Sequence, residues 1–218
     1  METPNSLPDT VLQSWDHAPQ ESSVIVVLPD GCRDLILRTS AHNNSTWFIS
    51  HISNSSYHVN CYGNEQFTGY RLKPGAIIDE KLTASLLKRK YQDESHVLSM
   101  LDDFVKFDVR LTESLNCLKK VSSIAEASRL LGVTERTLER LVIKFTGYTP
   151  TYWKNLARVR RAAQALSSTH SFAAVAFEHG YADQAHMSRD FRQWFGVSPT
   201  AFKDDASLMA SIMEKGYD

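Results

Sequence analysis

The 218 residues predict an α+β protein of two domains, a small β-rich one followed by an all-helical one. Three observations carry this. Residues 22–72 are short β-branched and aromatic runs separated by Gly, Pro, Asn and Ser clusters, whereas from about Asp79 the apolar spacing becomes helical. Charge divides the chain in the same sense. Residues 119–203 hold thirteen Lys or Arg against six Asp or Glu, a net +7, and the remainder nets −8, so the overall −1 conceals two opposite parts. Finally, one polar-faced helical sequence occurs twice. VTERTLERLVIKFTGYTPTYW, starting at Val133, aligns without a gap on ADQAHMSRDFRQWFGVSPTAF, which starts 49 residues later at Ala182. Thr134 falls on Asp183, Leu138 on Met187, Arg140 on Arg189, Gly147 on Gly196 and Pro150 on Pro199.

Bulk composition narrows the class. A hydrophobic content of 42% and a charged content of 22% suit a soluble globular chain with a real core. The apolar run Val24 to Leu28 is far too short to span a bilayer, and METPNSLPDT lacks a basic region followed by an apolar stretch. No membrane partner and no export are therefore expected. Cys32, Cys61 and Cys117 form no C-x-x-C pair and read as reduced thiols in a cytoplasmic protein. A basic segment beside an acidic one points to a polyanion met by the basic part alone.

The elements follow in order. Val24–Leu28, Leu35–Arg38, Thr46–Ile52, Tyr57–Tyr62 and Gln66–Leu72 read as five short strands, with turns at Pro29-Asp30-Gly31 and Lys73-Pro74-Gly75. About fifty residues of strand bury little core alone. This part is thus expected to lean on the helices after it or on a second subunit. Leu82, Leu86 and Leu87 share one helical stripe; Val97, Leu98, Leu101, Phe104 and Val105 share another. Val109 to Lys119 reads as a further helix. The chain then divides into a β-rich part at 1–78, a helical linker at 79–108, the repeat-bearing part at 109–204 and a tail at 205–218.

Ser123-Ile124-Ala125-Glu126 reads as a capping box opening a short helix to Leu131. Gly132-Val133 makes a turn and Thr134 caps the next helix, whose Leu138, Leu141, Val142 and Phe145 face inward. Arg136, Glu139, Arg140 and Lys144 are left on outer faces. In the second copy Phe172, Val175 and Ala176 support, Gly180 turns, Asp183 caps, and Met187, Phe191 and Trp194 point inward. Gln184, His186, Arg189 and Arg192 remain polar. Short helix, glycine turn and polar-faced second helix match a helix-turn-helix, whose second helix lies in the DNA major groove. Gln suits adenine and Arg suits guanine. Thr151 to Leu166 reads as a connecting helix packed through Trp153, Leu156, Ala157 and Ala163.

These motifs resemble the tandem helix-turn-helix domain of the AraC/XylS family of bacterial transcription regulators. The residues that carry the likeness are TERTLER…FTGYTPTYW, RVRRAAQAL and FAAVAFEHGYADQAHMSRDFRQWFGVSPTAF, within about Val109 to Lys203. Ser128, Phe172 and Met187 depart from the residues usual there. The resemblance implies a sequence-specific regulator, one monomer reading two adjacent major-groove segments of double-stranded DNA. It implies base reading by Arg136, Glu139 and Arg140 in the first copy and by Gln184, Ala185, His186 and Arg189 in the second. Thr134, Lys144 and Arg192 are the expected phosphate contacts. VLPDGCRDLIL and GYRLKPGA resemble a small β-barrel-like domain on one branch of the family, a reduced relative of its cupin-type sensor. That implies a small-molecule or protein effector, a homodimer or both, and RNA polymerase as a further partner. No cofactor and no enzymatic activity are expected. His42, His51, His58, Cys32 and Cys61 lack close metal-ligand spacing. Cys32-Arg33-Asp34 reads as a turn held by an Arg–Asp pair in preference to a reactive thiol. The modules of DNA-repair alkyl acceptors, a four-Cys zinc cluster or Pro-Cys-His-Arg, are missing.

Overall fold

The computed structural model describes residues 7–40, 45–79, 81, 94–168 and 171–218. They fall into two compact units: Met1–Ile25, Cys32–His51 and Asn60–Asp108 form one, and Val26–Gly31, Ile52–Val59 and Val109–Asp218 the other. Leu82, Leu86, Leu87 and His42 lie outside the described residues.

The first unit is built on a four-stranded antiparallel sheet in the order β1-β6-β3-β4. Its strands are β1 (Val11–His17), β3 (Asp34–Thr39), β4 (Ser45–Ile49) and β6 (Gln66–Leu72). Two further pairs join β2 (Ser23–Val27) to β5 (Tyr57–Cys61) and β7 (Ile77–Ile78) to β8 (Val105–Lys106). Helix α1 (Glu94–Phe104) contributes Val97 and Leu101 to a core with Val11, Leu35, Trp47, Tyr70 and Leu72. Strand β1 was not among the expected five. Its apolar residues alternate too weakly in VLQSWDH, and its pairing with β6 supplies what its own sequence lacks. Asp34 also departs from expectation. It stands opposite Arg71 in the β3–β6 register and accepts from Arg71 Nε at 3.3 Å and from Trp15 Nε1 at 2.9 Å. The cross-strand neighbour on the same face displaces the sequence neighbour Arg33, which a strand sends to the opposite face.

The second unit is helical: α2 (Val109–Leu118), α3 (Ile124–Leu131), α4 (Glu135–Thr146), α5 (Pro150–Ala165), α6 (Phe172–Glu178), α7 (Gln184–Phe195), α8 (Pro199–Asp204) and α9 (Ala206–Ile212). Helix α5 runs through its centre, with Trp153, Leu156, Ala157, Val159, Ala162 and Ala163 all fully buried. Arg160 on the same helix is 1% exposed. Its guanidinium donates to the carbonyls of Pro29 (3.2 Å), Ile212 (3.3 Å) and Glu214 (2.9 Å), and Asp218 lies 3.8 Å away. One of the thirteen cations of the basic segment is therefore an interior strut. The residues expected as a tail are part of this core, because Leu208, Ile212 and Tyr217 are buried and the Tyr217 amide donates to Asp30 O at 2.8 Å. Leu28 and Ile52, from segments expected to be wholly β, are buried in the same cluster.

Candidate nucleic-acid interface

Each copy of the repeat begins with local capping chemistry. Thr134 Oγ1 accepts from the Thr137 amide at 3.2 Å, and Asp183 Oδ1 from the His186 amide at 2.6 Å. These bonds satisfy one of the amides that the first turn of a helix leaves unpaired, so the start of each helix is set by one side chain. Both helices run twelve residues and stop at a left-handed glycine, Gly147 with φ 77° and ψ −2° and Gly196 with φ 77° and ψ −4°. A side chain with a Cβ is disfavoured there, and the glycine amide closes the last turn onto Ile143 O in one copy and Arg192 O in the other. Thr149 and Ser198 then cap α5 and α8, each followed by proline in the first helical turn.

The preceding helices differ more. Ser123 Oγ accepts from the Glu126 amide at 3.1 Å, as expected, but the Glu126 carboxylate reaches past it to the Ser122 amide (3.0 Å) and hydroxyl (2.9 Å). Those bonds hold the Glu126 carboxyl below its ordinary range. In the first copy the left-handed Gly132 is separated from its cap by Val133 alone, and in the second Gly180 is separated from Asp183 by Tyr181 and Ala182. The repeat thus loses register by one residue at the turn.

Arg136, Glu139, Arg140 and Lys144 are exposed on α4, and Leu138 and Val142 are buried. Gln184, Ala185, Arg189 and Arg192 are exposed on α7, and Met187, Phe191, Trp194 and Phe195 are buried. On α4 the spacing i, i+3, i+4 groups Arg136, Glu139 and Arg140; on α7 the spacing i, i+4, i+7 groups Ala185, Arg189 and Arg192. His186 is only half exposed. Its Nδ1 accepts from the Ala182 amide at 3.4 Å and its ring stands edge-on to Tyr181, centroids 5.2 Å apart, which leaves Nε2 as its outward atom.

What holds each helix is different chemistry. Thr146, at the end of α4, is buried and accepts from Trp153 Nε1 of α5 at 3.1 Å while its own hydroxyl donates to Val142 O at 2.8 Å. Helix α7 is tied to α5 by an ion pair, Arg158 Nη2 to Asp190 Oδ2 at 2.7 Å, with both side chains about one-sixth exposed. The Arg158 guanidinium also lies over the Tyr181 ring at 4.4 Å. Burial, and then the nearby Asp190 charge, push the Tyr181 phenol well above its ordinary range. Arg158 was not singled out from the sequence; only its spacing from the α7 acid, visible in three dimensions, marks it. Among the described residues no cluster of three His, Cys, Asp or Glu side chains is arranged to hold a metal ion, and no helix is long and apolar enough to cross a membrane.

Comparison with known proteins agrees with this geometry. Residues 127–205 match the family model described as a helix-turn-helix domain. The transcriptional regulator RipA of Corynebacterium glutamicum is 36% identical over 81 residues, 37% of this chain and 24% of RipA. The transcriptional activator RhaS of Escherichia fergusonii is 36% identical over 118 residues, 50% of this chain and 42% of RhaS. Among solved structures, an AraC-type transcriptional regulator from Chromobacterium violaceum aligns with a TM-score of 0.40 and 25% identity, covering 49% of this chain and 95% of that one. Residues 127–205 thus carry a helix-turn-helix domain. It spans less than half the length of the two curated relatives named here.

Proposed function

We propose that the protein is a sequence-specific DNA-binding transcription regulator of the AraC/XylS type, with α3–α4 and α6–α7 acting as two helix-turn-helix units in one monomer. The observation that carries this is the doubled helix. Two twelve-residue helices, capped alike at both ends, each present exposed cations outward from an apolar floor. Arg160 is interior and Arg158 is paired with Asp190, whereas Arg136, Arg140 and Lys144 of α4 and Arg189 and Arg192 of α7 are exposed. A polyanion would meet those faces first.

In this assignment Arg136, Glu139 and Arg140 read one segment of the major groove and Gln184, Ala185, His186 and Arg189 the next. Arg pairs with guanine, Gln with adenine, Glu accepts from cytosine, and the Ala185 methyl suits a thymine methyl. Thr134, Lys144 and Arg192 hold phosphates. The DNA-binding part comprises about residues 109–204, supplemented by the α9 region and the segments 26–31 and 52–59. The β-rich unit, in the sense of a reduced barrel-like cupin, supplies effector sensing, dimerisation or both, and the regulator works in the cytoplasm with RNA polymerase and without catalysis. RipA and RhaS, by name a transcriptional regulator and a transcriptional activator, support this assignment.

Gln184→Ala tests the division between reading and holding. It should cost about 1–3 kcal/mol and relax preference at one or two base pairs only. Lys144→Ala should weaken all sequences alike and lower the salt slope by about one. Site selection from a random duplex pool with each full-length variant separates them. An unchanged preferred sequence for Gln184→Ala would show that α7 presents another face to the bases.

A further inference from the structure

We infer that Tyr148 and Tyr152 are positioning residues for DNA reading, acting through the segment Ile52–Val59, which latches the ends of the two reading helices together. This rests on the assignment of α4 and α7 as the reading helices.

The segment packs within the helical unit. Ile52 is buried in its core, and three hydrogen bonds leave the stretch within five residues. Tyr148 Oη donates to Ile52 O at 2.7 Å, Tyr152 Oη to Ser53 O at 2.7 Å, and the Ser56 amide to Trp194 O at 2.8 Å. Each bond reaches a different element. Tyr148 follows the glycine that ends α4, Tyr152 lies in the first turn of α5, and Trp194 lies in the last turn of α7. The rings close the same junction. Tyr152 stacks on Tyr148 with centroids 4.1 Å apart and meets Trp194 at 5.3 Å and Trp153 at 5.4 Å.

The chemistry favours a latch over incidental packing. Trp194 O is one of the four final carbonyls of α7 without an intrahelical partner, and the Ser56 amide supplies one. Ile52 and Ser53 are backbone groups of an irregular stretch whose carbonyls must find donors if they are to stay out of water, and the two phenols provide them. Two tyrosines four residues apart, one within the α4–α5 turn and one in the first turn of α5, thereby hold one face of the segment while α7 holds the other. A rigid relation between α4 and α7 fixes the spacing of the two DNA segments that one monomer reads. The segment is continuous in sequence with β4 and β5, so the chain itself leads from the β-rich unit to the latch.

The test compares full-length wild type with Tyr148→Phe/Tyr152→Phe, which keeps both rings and removes both hydroxyls. Binding is measured on duplexes in which the two selected segments are moved apart or together by one base pair. Wild type should prefer one spacing. The double variant should lose about 5- to 30-fold at that spacing, the worth of two hydrogen bonds, and should bind the shifted duplexes nearly as well as the original. Lys144→Ala, by contrast, should weaken every duplex and keep the spacing preference. A double variant with the wild-type spacing profile overturns the latch. Should the double variant not fold, hydrogen exchange on wild type decides. The Ser56 amide should exchange slowly and be protected further by the selected DNA, and exchange at the rate of an open loop overturns the inference. If wild type selects no DNA sequence at all, the functional assignment fails first and the latch falls with it. A single-segment site with a protected Ser56 amide, insensitive to DNA, would spare the assignment of DNA binding and sink the latch.

Discussion

Replacing Asp190 by alanine removes one partner of an ion pair that is mostly out of water. The Asp190 side chain is 14% exposed and that of Arg158 16%, with 2.7 Å between Nη2 and Oδ2. Deleting one member of a fully buried pair costs about 3–5 kcal/mol, because the other charge stays desolvated. Here water still reaches part of each group, and Arg158 keeps its place over the Tyr181 ring at 4.4 Å, which brings the expected cost to about 2–3 kcal/mol. For a helical unit of this size, that corresponds to a fall of about 8–12 °C in melting temperature. The assay is thermal unfolding of the full chain followed by the helical circular dichroism signal. Arg158→Met/Asp190→Leu should recover much of the loss, since apolar groups of similar volume tolerate burial better than a lone charge. The same double replacement should still disturb DNA selection on the α7 side, because the ion pair fixes direction as well as proximity. A cost below about 1 kcal/mol for Asp190→Ala would place the pair with ordinary surface bridges and refute its role in seating α7.

Gly31→Ala should be severe. An added Cβ would stand 2.8 Å from Trp153 Cζ3 and 2.9 Å from Tyr217 Cβ at a φ of +72°, so about 2–4 kcal/mol of stability should be lost in the same melt. A loss under about 0.5 kcal/mol would mean that residues 26–31 do not pack on α5. His179 gives a pH test. Burial, and then the Arg161 charge, hold its imidazole below the ordinary 6.5. The unfolded chain therefore binds the extra proton first, and stability should rise with pH through the window up to about 6.5 and fall as pH drops below it. His179→Gln should flatten that slope, and an unchanged slope would assign the effect to other groups.

The parts of the fold legible in the sequence are those with local causes. Thr134, Asp183, Gly147 and Gly196 mark helix ends through side chains and backbone angles that act within four residues. The inward rows Leu138–Val142 and Met187–Phe191–Trp194 follow from helical period alone. What stayed hidden depends on partners far along the chain. Asp34 takes Arg71, not Arg33, because strand register decides the neighbour. Arg160 looks like one more surface cation until the carbonyls of Pro29, Ile212 and Glu214 surround it. The connecting helix reads as packed through Trp153, Leu156, Ala157 and Ala163, but Val159, Arg160 and Ala162 are buried as well, so a residue inserted between Asn155 and Val159 would break the core. The outward faces of α4 and α7 were readable as surface, but His186 bends back toward its own turn, a detail set by Tyr181.

The central claim is that one monomer reads two successive major-groove segments with α4 and α7. The direct measurement is methylation interference and hydroxyl-radical footprinting of the full chain on a site selected from random duplexes. Two patches of major-groove guanine interference on one face of the DNA are expected, their centres about one helical turn, roughly 34 Å, apart. Arg136→Ala should erase contacts in one patch and Arg189→Ala in the other. A single patch, or two patches that respond together to either substitution, would contradict the claim.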